Sequence, residues 1–183
     1  VTAEPRDLEW IMQTYCAAFD AVVTRAFMHE GKPAAALDRT AFYPTSGGQP
    51  HDVGMLAAAR VVDVVDLEDG TIAHVLGSPI AAGSAVRGEI DWDRRFDHMQ
   101  QHTGQHVLSA AFAHLFDNRT MSFHMSADLS TVDLARDATP EHIAAAEREA
   151  NRVVWEDRPV SIRFATAEEA AAMPLRKEPA RGG

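Results

Sequence analysis

Apolar and polar positions alternate along the first half of the chain and then change period. TYCAAFDAVV (14 to 23) and KPAAALD (32 to 38) read as strands flanking the turn-like break His29-Glu30-Gly31. ARVVDVVDLEDGTIAHVL (59 to 76) predicts a hairpin whose turn is Glu68-Asp69-Gly70, and SAVRGEID (84 to 91) predicts a further strand. Short strands at regular intervals, with no long helix among them, point to a small β-barrel or a strongly twisted sheet.

From Asp93 to about Phe116 the period is helical, with Phe96, Met99, Val107, Leu108, Ala111, Phe112 and Leu115 on the apolar side. Asp93 is the expected N-cap. Gly104 sits inside this helix, where glycine costs about 1 kcal/mol relative to alanine. MSFHMS (121 to 126) and STVDLA (130 to 135) predict two strands around a turn at Asp128. Thr139-Pro140-Glu141 places an N-cap, a proline at N1 and an acid in the first turn, starting a helix that runs to about Trp155. Residues 159 to 164 read as a strand. Thr166 and Glu169 form a capping box for a short helix over 167 to 173, and the tail LRKEPARGG is expected to be loose. The fold class is therefore α+β: a small β-barrel domain over 1–92, followed by an α+β two-layer domain over 93–183.

Composition narrows the picture further. The 183 residues, 46% of them hydrophobic, suffice for one good domain or two small ones. Cys16 is the single cysteine, which excludes an internal disulfide and fits a reducing compartment. No apolar run approaches the roughly 20 residues that span a bilayer, and VTAEPRDLEW lacks a signal-peptide pattern. A cytoplasmic location without membrane contact is expected, and no obligate protein partner is indicated. The net charge of −10, from 27 acidic and 17 basic side chains, excludes a nucleic-acid binder held mainly by overall charge. Any such contact must be local. Lys32 and Lys177 are the only lysines, so cationic contacts fall to arginines, whose forked guanidinium suits phosphate.

Two segments carry chemistry. In RRFDHMQQHTGQHVLSAAF (94 to 112), His98, His102 and His106 recur at every fourth position, one face of a helix. Such a stripe is a metal site, a general-base cluster or a polar face. His102-x3-His106 can converge on one Zn²⁺, with Gln101, Thr103 and Gln105 able to orient the rings. The metalloprotease form of this motif needs a glutamate where Thr103 stands, so that reading is excluded. Zinc takes three or four protein ligands, and His98, His124 and Asp97 are the candidates for the remainder, though none forms a recognisable ligand pair. The second segment, FYPTSGGQP (42 to 50), pairs Gly47-Gly48 with prolines at both ends. No Gly-Lys-Ser/Thr follows it, so it is not a phosphate-binding P-loop.

The TAFYPTSGGQP loop in a β-rich first half, followed by RRFDHMQQHTGQHVLSAAF, resembles the AlaX family of free-standing relatives of the alanyl-tRNA synthetase editing domain. Asp91-Trp92-Asp93-Arg94, residues 130–134 and RPVSIRFATAEEAAAMP extend the resemblance from about residue 14 to 178. It implies hydrolysis of mischarged Ser-tRNA(Ala) or Gly-tRNA(Ala), a task that arises because an alanine pocket rejects both amino acids poorly. It also implies one Zn²⁺ on His102 and His106, completed by a later Cys-x3-His pair. No such pair is present by Gly183, and Cys16 lies in the wrong half to replace it, so the chain is expected to be a truncated form. The implied substrate contacts are Gln105, Thr120, His124, Gly47, Gly48 and Gln49. Arg94, Arg95 and Arg119 are the implied contacts to the tRNA(Ala) acceptor end. No general base is assigned, since the substrate's ribose hydroxyl or a water can serve. Two alternatives stand beside the esterase: a non-catalytic tRNA- or partner-binding module with a relic metal site, and an unrelated metal-dependent hydrolase of small esters.

Overall fold

Strand β1 (Ala18–His29) alternates buried and exposed residues through Val23 and then shifts register between Val23 and Arg25. That shift lets one long strand serve two neighbours. Its first part pairs with β6 (Ala85–Ile90) and its second with β2 (Lys32–Leu37). With β3 (Gly54–Leu56), β4 (Ala59–Asp66) and β5 (Ile72–Leu76), the strands close into an antiparallel barrel in the order β1-β2-β5-β4-β3-β6. Closure removes sheet edges, and the inward-facing residues Val23, Ala35, Phe42, Leu56, Val61, Val64 and Leu76 fill the interior. Gly88 lies opposite Phe19 in the β1/β6 register, and a Cβ there would stand 2.5 Å from the Phe19 ring. The ring lies where a side chain would otherwise be, as aromatics do across from glycine in strongly curved sheets.

The structure, a computed structural model, describes residues 15–126, 129–161 and 165–173. Helix α1 (Trp92–Phe116) follows β6 directly, and its N-cap is Asp91 rather than the expected Asp93. The Asp91 side chain accepts from Arg94 N at 3.2 Å, while its own N–H donates to Val53 O, tying the helix start to the barrel. Strands β7 (Thr120–Met125) and β8 (Ser130–Leu134) form a two-stranded antiparallel sheet. Helix α2 (Pro140–Trp155) starts on Thr139, whose hydroxyl accepts from His142 N, and α3 (Ala167–Ala171) starts on the reciprocal Thr166–Glu169 box. Ala111 and Phe112 of α1 pack with Ala146 of α2, flanked by Leu108, Phe116 and Leu134, as the second core. The architecture is α+β, a barrel followed by a helix-and-strand layer.

The expected apolar face of α1 is buried at Ala111 and Phe112 but not along its whole length. Its buried residues are Arg95, His98, Ser109, Ala111 and Phe112, whereas Phe96 and Leu115 are both 41% exposed. The first turns of the helix pack on loop backbone and Asp52, which need a charged and hydrogen-bonding partner. Residues 159–161 form no strand. Residues 162–164, the turn at Asp128, Thr14 and the 175–183 tail lie outside the described residues.

Candidate functional site

The loop between β2 and β3 folds back as a miniature hairpin. Ser46 N donates to Gln49 O at 3.1 Å and Gln49 N to Ser46 O at 2.9 Å, around Gly47 at φ 59° and Gly48 at φ 87°. Two successive positive φ values define a type I′ turn, which glycines adopt without steric cost. His51 N donates to Thr45 Oγ1 at 3.1 Å, and at the base Tyr43 and Asp52 exchange two bonds: Asp52 N to Tyr43 O at 2.9 Å, and Tyr43 N to Asp52 Oδ2 at 2.6 Å. The tip meets β7, where a Cβ on Gly48 would stand 3.3 Å from Phe123 Cδ1.

Gln49 at this tip reaches α1. His102 Nδ1 donates to Gln49 Oε1 at 3.1 Å, so the neutral ring carries its proton on Nδ1 and its lone pair on Nε2. That Nε2 accepts a hydrogen bond from His106 Nε2 at 3.1 Å, with the two rings stacked at 24° and their centroids 4.8 Å apart. Phe123 also stacks on His102, at 6.2 Å between centroids. Burial holds the His102 imidazole below its ordinary pKa, favouring the neutral, ligating form.

One turn further along α1, buried Ser109 accepts two hydrogen bonds at 2.7 Å, from Gln105 Nε2 and Thr120 Oγ1. The Thr120 proton is thereby committed, and its oxygen presents acceptor lone pairs. A cleft of roughly 1080 Å³ opens from Gln49 and His102 along the barrel toward Thr40, Tyr43 and His74.

The structure brings Gln49, His102, His106 and Phe123 together, with Gln105 and Thr120 joined through Ser109. Gly47 and Gly48 form the turn that carries Gln49. Two expected residues are placed elsewhere. Arg95 is completely buried and bound to Asp52 and Ala41 O, so it has no surface to offer a phosphate. The His124 side chain is 75% exposed, 3.9 Å from Asp133 of β8; strand alternation turns it away from the face on which Phe123 meets His102. Arg119 is exposed, and half-buried Arg94 donates to His51 O. His98, one helical turn before His102, is buried, and burial lowers its pKa. Three participants were missed. Phe123 reads as an ordinary strand aromatic, Ser109 as a polar interruption of the apolar stripe, and Asp52 as a loop acid. The clue for Ser109 was its place on the buried face, three residues after His106.

The Nε2 atoms of His102 and His106 converge as two ligands of one metal do, and the Gln49 carboxamide is the outer partner such a histidine needs. Among the described residues no group of three His, Cys, Asp or Glu side chains is brought to metal-binding distance. The pair fits half of a zinc site.

No family model matches the chain. It is similar to the alanyl-tRNA editing protein AlaX-L of Pyrococcus horikoshii, 33% identical over 171 residues that make up 89% of this chain and 42% of that protein. It is 38% identical over 128 residues to the alanyl-tRNA editing protein Aarsd1 of Mus musculus, covering 69% of this chain and 31% of that one. Against the alanine–tRNA ligase of Pyrobaculum aerophilum it is 38% identical over 166 residues, or 86% of this chain and 18% of the ligase. The chain thus spans less than half the length of each of these relatives.

Proposed function

Because the chain belongs to the AlaX-like family of alanyl-tRNA editing proteins, we propose that it is a trans-editing deacylase that hydrolyses the ester of Ser-tRNA(Ala) or Gly-tRNA(Ala). The observation that carries this reading is the meeting of Gln49 with the His102–His106 pair, which joins the two family motifs in one place.

In this reading the cleft receives the acceptor end of tRNA(Ala), with Arg119 and the outer part of Arg94 near its phosphates. The aminoacyl ester lies over the Nε2 atoms of His102 and His106. Zn²⁺ held there would supply Lewis acidity toward the ester carbonyl or the attacking water. Two histidines are short of the three or four ligands that zinc takes, so this site needs more donors than the described residues bring together. Gln49 fixes the His102 tautomer, and Phe123 keeps water from one face of its ring. Thr120, its proton held by Ser109, accepts a hydrogen bond from the substrate's serine hydroxyl, which favours serine over a side chain without a donor. Water addition to the carbonyl and departure of the ribose oxygen complete the hydrolysis.

Release of serine from Ser-tRNA(Ala), with zinc content measured on the same sample, tests the reading. Turnover that disappears in His102→Ala supports it. A non-catalytic tRNA- or partner-binding module is the second reading, and the net charge of −10 favours its partner-binding form. Binding of Ser-tRNA(Ala) without hydrolysis by the zinc-loaded protein would decide for that module.

A further inference from the structure

We infer that Asp52 and Arg95 are positioning residues for this site: their buried pair clamps the base of the 43–52 hairpin onto α1 and so holds Gln49 against His102. Arg95 Nε donates to Asp52 Oδ1 at 3.1 Å and Nη2 to Asp52 Oδ2, a two-pronged pairing between side chains that are 0% and 2% exposed. The same guanidinium donates to Ala41 O and lies over the Tyr43 ring at 4.4 Å. Asp52 in turn accepts from Tyr43 N. Both ends of the hairpin, at residues 41–43 and at 52, are therefore fastened to one side chain of α1. Seven positions further along that helix is His102, about two turns away on the same face. A rigid helix thus carries both the anchor of the hairpin and the ring its tip must reach.

Charge at this position is not explained by stability alone, because well-packed apolar residues replace buried ion pairs at little or no cost. A forked donor, by contrast, fixes distance and angle together. No tRNA contact is needed for this role, which accounts for a fully buried arginine in a segment otherwise placed to face substrate.

The inference rests on the deacylase reading for its catalytic consequence and on the free protein for its structural one, so the two are tested separately. In protein labelled with ¹⁵N-histidine, the ring nitrogens of His102 report its tautomer. The wild type is expected to show the Nδ1–H form, and Gln49→Ala to lose it. Asp52→Leu combined with Arg95→Met removes the clamp without leaving a buried charge, and Asp52→Asn removes the charge alone while keeping the shape. The double variant is expected to retain the wild-type circular dichroism yet shift the His102 signals as Gln49→Ala does, with kcat for Ser-tRNA(Ala) lowered about tenfold to a hundredfold and KM little changed. Folded clamp variants with wild-type His102 signals would overturn the inference. If the double variant does not fold, Asp52→Asn decides the matter by the same signals. Shifted signals in a protein whose wild type hydrolyses no mischarged tRNA would retain the positioning role and remove the deacylase reading.

Discussion

His102 and Gln49 stand 53 positions apart in the chain, yet Nδ1 of one meets Oε1 of the other at 3.1 Å. The contact couples a turn of the barrel half to a ligand-type histidine of the helical half. If the proposed deacylase holds its metal on His102, Gln49→Ala should lower the kcat of serine release about tenfold to a hundredfold, the usual effect of removing an outer partner of a ligating histidine. The melting temperature should hardly move, since the turn closes through backbone bonds alone. Paired kinetics and thermal melts check this.

Ser109→Ala removes the acceptor shared by Gln105 and Thr120. Leaving two half-buried donors unsatisfied is expected to cost about 1 to 3 kcal/mol in urea denaturation. Thr120 also loses the partner that orients its hydroxyl, so the ratio of Ser-tRNA(Ala) to Gly-tRNA(Ala) hydrolysis should fall. Competition between the two substrates measures it.

Removing one member of the Asp52–Arg95 pair should be far more damaging than removing both. Arg95→Met leaves a buried carboxylate without its partner and should cost about 3 to 5 kcal/mol, whereas the apolar double replacement should cost much less. Denaturation midpoints of the three proteins give the comparison.

His74 sets a pH dependence. Its Nδ1 donates to Ala35 O at 3.0 Å and its Nε2 accepts from Thr40 Oγ1 at 2.8 Å, so the buried ring is neutral by construction. Burial lowers its pKa from 6.5 to about 4. The unfolded chain therefore binds the proton first. Stability is fully present above about pH 6.5 and is lost as pH falls toward 4, by on the order of 3 kcal/mol. His74→Gln should be less stable at pH 7 but should lose most of the slope between pH 4.5 and roughly 6.5. Urea titrations across that window test the sign.

Arg119 is the exposed one of the three arginines proposed for the tRNA. Arg119→Ala should weaken tRNA binding and reduce the slope of log K against log salt by about one. Arg95→Lys should leave that slope unchanged, because Arg95 reaches no solvent.

Local pattern carried much of this fold. The 59–76 hairpin, the Thr139 cap and the Thr166–Glu169 box follow from turn chemistry, capping and alternation, which act within a few residues. What stayed hidden was tertiary. The β1/β6 seam joins strands more than sixty positions apart, and β3 is three residues long, too short to show a period. Arg95 shows a charge in the sequence but not the Asp52 that neutralises it, so the resemblance alone places it against phosphate. The spacing of His102 and His106 was enough to predict that they meet, because one helix holds both. Phe123 comes beside them through the long-range packing of β7 against the loop tip.

The buried salt link across 43 residues has a consequence for inheritance. A crossover between the barrel segment and the helix that brings in a half lacking the matching charge would leave an unmatched ionic group in the interior. The glycine turn and the histidine helix thus depend on one shared charge pair, to which each contributes half.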